Sequence, residues 1–363
     1  MPSLLSVATL FASLLLLPSV TAQTWTACNP LEKDNCPRNA ALGTSYQANF
    51  TNTLNEAIWN ITNGRLDYID DIGTSFSIKE RLQSPTIQSY FYIFFGRLEV
   101  IMKAAVGKGV ISSIVLQSED LDEIDWEWLG GDTTQVQTNY FGKGNRTLGA
   151  RGGIHEIDAP MEKYHNYTVD WTAERLQWWV DDNLIRTVTY DEALGGKNYP
   201  QTPMTVRLGI WPAGDKQNDP GTIEWAGGLV DYSKVPYFMT VKKLKVEDYS
   251  TGKEYEYSDR SGSWQSIKIH NGTSELAKEA HKPPPKTIAQ KWRELPSGAK
   301  IAVYSSAGGV GLLAFLILIF CCVKQRRAGR KEHVLQESKF TTEQNDMITM
   351  QTQWKKRQYH QIR

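Results

Sequence analysis

The sequence predicts an all-β sandwich or jelly roll with a single membrane-spanning helix near its C-terminal end. Two observations carry this. From Tyr46 to about Ser263, short apolar or alternating runs recur between Gly, Asn, Asp and Pro, with almost no helical periodicity. Much later, Ile301 to Val323 forms 23 residues without a charge. At about 1.5 Å rise per residue that is enough to cross about 30 Å of hydrocarbon.

Taken in order, residues 1–22 have the pattern of a secretory signal peptide. Leu10 to Pro18 is almost wholly apolar, and Val20-Thr21-Ala22 carries the small residues of a cleavage site. Residues 23–274 follow as the expected β-domain. Export permits a disulfide, and Cys28 and Cys36 are the only cysteines of that part, so Cys28–Cys36 is the one intramolecular pairing available there. The sequons at Asn49, Asn60, Asn145, Asn166 and Asn271 fit the same compartment. Strand-like runs include Ser89–Phe95, Arg97–Met102, Tyr167–Trp171, Leu176–Val180 and Ile185–Val188, the last two joined by a turn at Asp181-Asp182-Asn183. Residues 275–300 are polar, stiffened by Pro283-Pro284-Pro285, and read as a stalk. The span 301–323 is followed at once by Lys324, Arg326, Arg327, Arg330 and Lys331, which puts the C-terminal end in the cytosol. Residues 324–363 hold ten Lys or Arg against four Asp or Glu, a basic tail expected to lack fixed structure and to be drawn to anionic lipid. About forty residues follow the span, so a retained span is favoured over a glycolipid-anchor signal. Cys321 and Cys322 at its inner edge are open to palmitoylation or to a role as plain thiols.

The chemistry concentrates in Leu121-Asp122-Glu123-Ile124-Asp125-Trp126-Glu127-Trp128-Leu129. Alternation with period two places Glu123, Asp125 and Glu127 on one strand face. Three like charges in a row repel, so an inert fold gains nothing from them. A retaining glycosidase needs such a set: one carboxylate attacks the sugar carbon, a second gives and then takes a proton, and a third tunes the pair. Glu-x-Asp-x-Glu resembles the active-site strand of glycoside hydrolase family sixteen. The run that follows, Gly130 to Phe141, narrows the resemblance to the fungal Crh subgroup, cell-wall transglycosylases that join chitin to β-glucan.

That resemblance implies a concave, concanavalin-like β-jelly roll with a sugar chain lying across its curved sheet. It also implies that Arg207–Asp215 and Gly221–Gly228 line the donor cleft. Trp211 would stack on a pyranose ring, and Arg207 and Thr222 would bond ring hydroxyls or the N-acetyl group. Trp225 is either a second platform or core. Tyr140 and Gln117 are further candidates beside Glu127. The Trp211-Pro212-Ala213 turn departs slightly from the pattern at the donor end.

Other chemistries find little support. The six histidines form no metal-ligand spacing, and the Gly-Lys-Gly runs at 107–109 and 142–144 read as turns rather than phosphate cradles. No cofactor and no metal are expected. A formal net charge of zero gives no field for nucleic acid. The expected protein is therefore a single-pass plasma-membrane transglycosylase, its catalytic domain facing the wall and its partners chitin and β-glucan. The tail's own partners stay undefined. A hydrolase using the same residues, or a non-catalytic wall lectin, are the rival readings.

Overall fold

The computed structural model describes residues 25–51, 53–69, 72–145, 147, 151–282 and 288–360. The expected signal peptide and the Pro283–Pro285 centre of the stalk lie outside the described residues. Two units are separate along the chain, one up to Pro283 and one from Pro284.

The first unit is built of antiparallel strands. In chain order they begin with β1 (Asn39–Ala40), β2 (Ser45–Asn49), β3 (Trp59–Asn63), β4 (Leu66–Ile69), β5 (Gly73–Ile78) and β6 (Thr86–Ser89). Next come β7 (Gly96–Lys103), β8 (Ile111–Ser118), β9 (Glu123–Leu129), β10 (Gln135–Phe141), β11 (Gly153–Glu156) and β12 (His165–Trp171). The series closes with β13 (Arg175–Val180), β14 (Asn183–Thr189), β15 (Met204–Trp211), β16 (Tyr237–Asp248), β17 (Glu254–Tyr257) and β18 (Ile267–His270). One sheet has the order β11-β10-β9-β8-β15-β6-β3. The other runs β14-β13-β12-β7-β16-β5-β4, with β2 also paired to β16, and β1-β17-β18 form a small third sheet.

Strict alternation makes the sandwich. Along β9, Ile124, Trp126 and Trp128 turn inward and are buried, as are Val136 on β10 and Leu208 and Ile210 on β15. They meet Leu98, Val100 and Met102 of β7 and Tyr167, Val169 and Trp171 of β12 in one continuous core. Each such side chain contributes about 1.5–3 kcal/mol by leaving water. Several of the abundant aromatics are core: Trp59, Trp126, Trp128, Trp171 and Trp178 are all fully buried. The all-β sandwich read from the sequence is the fold observed.

Two helices lie where the sequence reading had none. Pro220–Trp225 forms α1, started by Pro220, whose fixed φ and missing N–H suit a first helical turn. Glu275–Ala280 forms α2, capped by Ser274, whose hydroxyl accepts from Ala277 N at 2.9 Å and donates to the Ala41 carbonyl at 2.6 Å. Asn55 donates to Glu279 and Thr44 meets His281. The folded unit thus runs past the expected boundary at Ser274, because a cap and a buried Ala277 dock this segment.

In the second unit, Ile288–Glu294 forms α3 and Ser297–His360 forms α4, a single helix of 64 residues. It includes a stretch long and apolar enough to cross a membrane. The basic tail, expected without fixed structure, continues this helix. Between Val323 and His360 it holds no proline and only Gly329, so nothing breaks the hydrogen-bond ladder.

Candidate active site

Glu123, Asp125 and Glu127 stand on the outer face of β9, in the middle of the seven-stranded sheet. Consecutive acids are about 7 Å apart along the strand. Pairing fixes their neighbours. On β8, Gln117, Val115 and Ser113 lie opposite Glu123, Asp125 and Glu127. On β10 the partners are Phe141, Asn139 and Gln137. One strand further, Arg207 on β15 is in register with Val115.

The buried side of β9 is clamped. Trp126 and Trp128 stack with ring centroids 6.0 Å apart, and Tyr167 meets both edge-on at 5.4 and 4.5 Å. Trp178 Nε1 donates to the Asp125 carbonyl at 3.2 Å. The turn entering the strand is locked as well. Asp122 accepts from Lys143 N at 2.8 Å, Gln201 N at 2.7 Å and Thr202 Oγ1 at 2.9 Å. Leu121 takes a left-handed φ of 66° there, and its carbonyl accepts from Gly144 N.

Crowding sets the electrostatics. Burial, then the charge of Glu123, pushes the Glu127 carboxyl up to about 8. Asp125 is raised well above the ordinary range by burial, by the charges of Glu123 and Glu127, and by a hydrogen bond shared with Glu123. Two carboxyls sharing a hydrogen bond hold a proton between them. The row therefore carries protons at neutral pH instead of three full charges.

Around the row the predicted residues divide. Gln117 Nε2 donates to Glu123 Oε2 at 3.2 Å. Arg207 is buried and lies within the field of Glu123. At the other end Trp211 and Trp225 stack 6.2 Å apart, and Trp225 Nε1 donates to Gln137 Oε1 at 3.0 Å. Because Gln137 is in register with Glu127, both tryptophans belong to that end of the row. Trp225 sits on α1, half-buried, and Thr222 shares that helix. Glycines allow this approach: a Cβ on Gly214 would lie 2.2 Å from the Gly228 carbonyl oxygen, and Gly109 adopts a φ of +78° beside it.

Tyr140 is a correction. It pairs with Ile124, so alternation turns it to the core face, where it is buried against Trp178 and Arg186. Gln137, Asn139 and Phe141, one step away, hold the outer face and were missed. Their signal was present in the alternation but needed the β9–β10 register. Also missed were Glu119, which accepts from Tyr92 at 2.5 Å, and the segment at Trp25.

Cys28 and Cys36 are bridged, with Cα atoms 5.7 Å apart. Among the sequons, Asn49, Asn60 and Asn271 are exposed and Asn145 half-buried. Asn166 is half-buried with its amide engaged by Glu99.

Residues 53–227 match the profile "Glycosyl hydrolases family 16", a span that contains the acid row and both tryptophans. A Crh-like protein of Arthroderma benhamiae is 59% identical over 97% of this chain and 96% of its own length. Crh-like protein 3 of Aspergillus fumigatus is 54% identical over 94% of this chain and 93% of its own. This chain belongs to the Crh-like proteins of glycosyl hydrolase family 16. A solved structure, an apo Crh5 transglycosylase, is 52% identical with a TM-score of 0.64, covering 67% of this chain and all of that one. The same enzyme has been solved in complex with NAG, matching with the same identity and TM-score. The Crh-like fold is thus a jelly-roll sandwich, with the acid row on its seven-stranded sheet.

Proposed function

We propose that this Crh-like protein is a retaining transglycosylase that cleaves chitin-type β-1,4-linked GlcNAc chains and joins them to β-glucan. The observation that carries this reading is the acid row, with Glu127 held protonated to about pH 8 beside Glu123, in a chain 52% identical to a Crh5 transglycosylase.

In the first half-reaction the Glu123 carboxylate attacks the anomeric carbon. The bond from that carbon to the bridging oxygen breaks, and the proton of Glu127 goes to the departing oxygen. In the second, Glu127, now a carboxylate, takes the proton of an acceptor hydroxyl. That oxygen attacks the anomeric carbon and the ester to Glu123 breaks, restoring both groups. Asp125 orients Glu123 through their shared hydrogen bond and keeps charge off the row. Trp211 and Trp225 offer flat apolar faces to sugar rings at the Glu127 end, and Arg207 and Gln117 hold the Glu123 end. Transfer wins over hydrolysis where a bound glucan end displaces water from the second step.

The helix supports a membrane-anchored place of action. In this reading the β-domain is secreted, residues 301–323 span the plasma membrane, and the basic tail lies in the cytosol, so that catalysis takes place outside, at the wall.

The test mixes the detergent-solubilised full chain with a chitin oligomer and a fluorescent β-1,3-glucan oligosaccharide. A ladder of larger labelled products is expected. Shortened chitin without labelled hybrids would establish a hydrolase, and binding without any turnover would leave a lectin.

A further inference from the structure

The N-terminal segment reaches the catalytic row. The Trp25 N–H donates to Gln117 Oε1 at 3.3 Å, and the Trp25 carbonyl accepts from Arg207 Nη2 at 3.4 Å. The next residue continues the seam: Thr26 Oγ1 donates to Glu119 Oε2 at 2.5 Å, and the other oxygen of Glu119 accepts from Tyr92 at 2.5 Å. Gln117 in turn holds Glu123 Oε2 at 3.2 Å. One residue thus bridges, through its backbone, two side chains that face the Glu123 carboxylate. The Cys28–Cys36 bridge follows at once in the chain, and Arg260 pairs with Asp34 inside its loop.

A seam that only stapled the N-terminus to the domain would be expected to bury its one large aromatic residue. Trp25 instead remains 51% exposed while its main chain is tied on both sides. A tryptophan whose main chain is held and whose ring is open to solvent, beside the polar Arg207 and Gln117, has the chemistry of a sugar platform. The sheet already carries one aromatic pair at the Glu127 end, Trp211 with Trp225. Trp25 supplies the counterpart at the Glu123 end, far in sequence but anchored to the same strands, β8 and β15.

We propose that Trp25 and Thr26 form the wall at the Glu123 end of the cleft, and that Trp25 is a platform for a pyranose ring of the bound chain beyond the one over Glu123. This rests on the proposed function above. The disulfide keeps the wall in place, so it serves substrate binding as well as stability. Trp25 touches no reacting atom in this scheme; it sets how long a chain the cleft grips.

The experiment measures binding of chitin dimer, tetramer and hexamer to the full chain carrying Glu127→Gln, with and without Trp25→Ala or Trp25→Phe. Turnover by the Trp25 variants with Glu127 intact is followed alongside. A platform predicts that Trp25→Ala weakens the hexamer about five- to tenfold and leaves the dimer within about twofold. It should raise KM for long donors with kcat unchanged, and Trp25→Phe should restore most of the loss. The pair Cys28→Ser with Cys36→Ser should reproduce the alanine pattern. Equal affinities for every length with and without Trp25 would overturn the platform. So would a loss of kcat at all lengths, which would mean that the segment only positions Gln117. Should the protein bind β-glucan oligomers and no chitin oligomer, the donor reading fails, and the same comparison on β-glucan oligomers still decides the wall. Binding of neither would sink both.

Discussion

At the scale of single residues, the active chemistry depends on how three carboxyls divide their protons. In the proposed mechanism Glu127 is the acid of the first half-reaction, and burial next to Glu123 keeps it protonated up to about pH 8. Since the protonated form is the working form, transfer rate should hold through neutral pH and fall as pH rises past about 8, checked by a pH–rate profile at saturating donor. Glu127→Gln should lose that limb along with most of the rate. Glu123→Gln should lower turnover by at least about a thousandfold with the circular-dichroism spectrum unchanged. A Glu123→Gln protein retaining wild-type turnover would refute its role. The acid row was legible because a period of two is written directly into the chain. Tyr140 was misplaced because its face depends on which residue of β9 it meets, and pairing with Ile124 turns it inward.

At the scale of elements, β9 is held from behind by Trp126, Trp128, Tyr167 and Trp178, and from its entry turn by Asp122. That rigidity keeps three acids aligned despite their repulsion. The Trp211–Trp225 pair depends on a different device, backbone packed against backbone. Gly214 N donates to the Gly109 carbonyl at 2.8 Å and Val230 N to the Gly214 carbonyl at 3.1 Å. Gly214→Ala would force a Cβ to 2.2 Å from the Gly228 carbonyl oxygen. It should cost about 1–3 kcal/mol and raise donor KM through a displaced α1, read by thermal unfolding and by kinetics. An unchanged Tm and KM would show that the loop yields freely. Strand content was legible from alternation, whereas α1 and α2 are only six residues each, too short to show a 3.6 period. Pro220 at the first position of α1 and the Ser274 cap of α2 were the available signals. The contact of Trp25 with Gln117 spans 92 residues of chain, and no local pattern encodes it.

At the scale of the molecule, several buried carboxyls have folded-state pKa values above their unfolded ones. Burial drives Asp122 to about 8, Glu127 to about 8 and Asp248 to about 7. For each, the native state binds more protons than the unfolded state between about pH 4 and the raised value. Stability from these groups is therefore full below about pH 4 and is lost as pH rises through 7 to 8. Thermal unfolding of the protein should show Tm of the β-domain falling across that window, with Glu127→Gln falling less. A Tm that climbed from pH 5 to 8 would contradict it. The cost of holding Glu127 in place is thus borne in stability at the pH where the proposed mechanism uses its proton.

The proposed mechanism passes through a covalent sugar on Glu123. The most direct measurement supplies the Glu127→Gln protein with a chitin-type donor bearing an activated aryl leaving group, which needs no acid. Peptide mass spectrometry then locates any bound sugar. A glycosyl ester on Glu123 is expected, accumulating because no base activates the acceptor. A sugar on another residue, or no bound sugar together with a sugar product of inverted anomeric configuration, would contradict it.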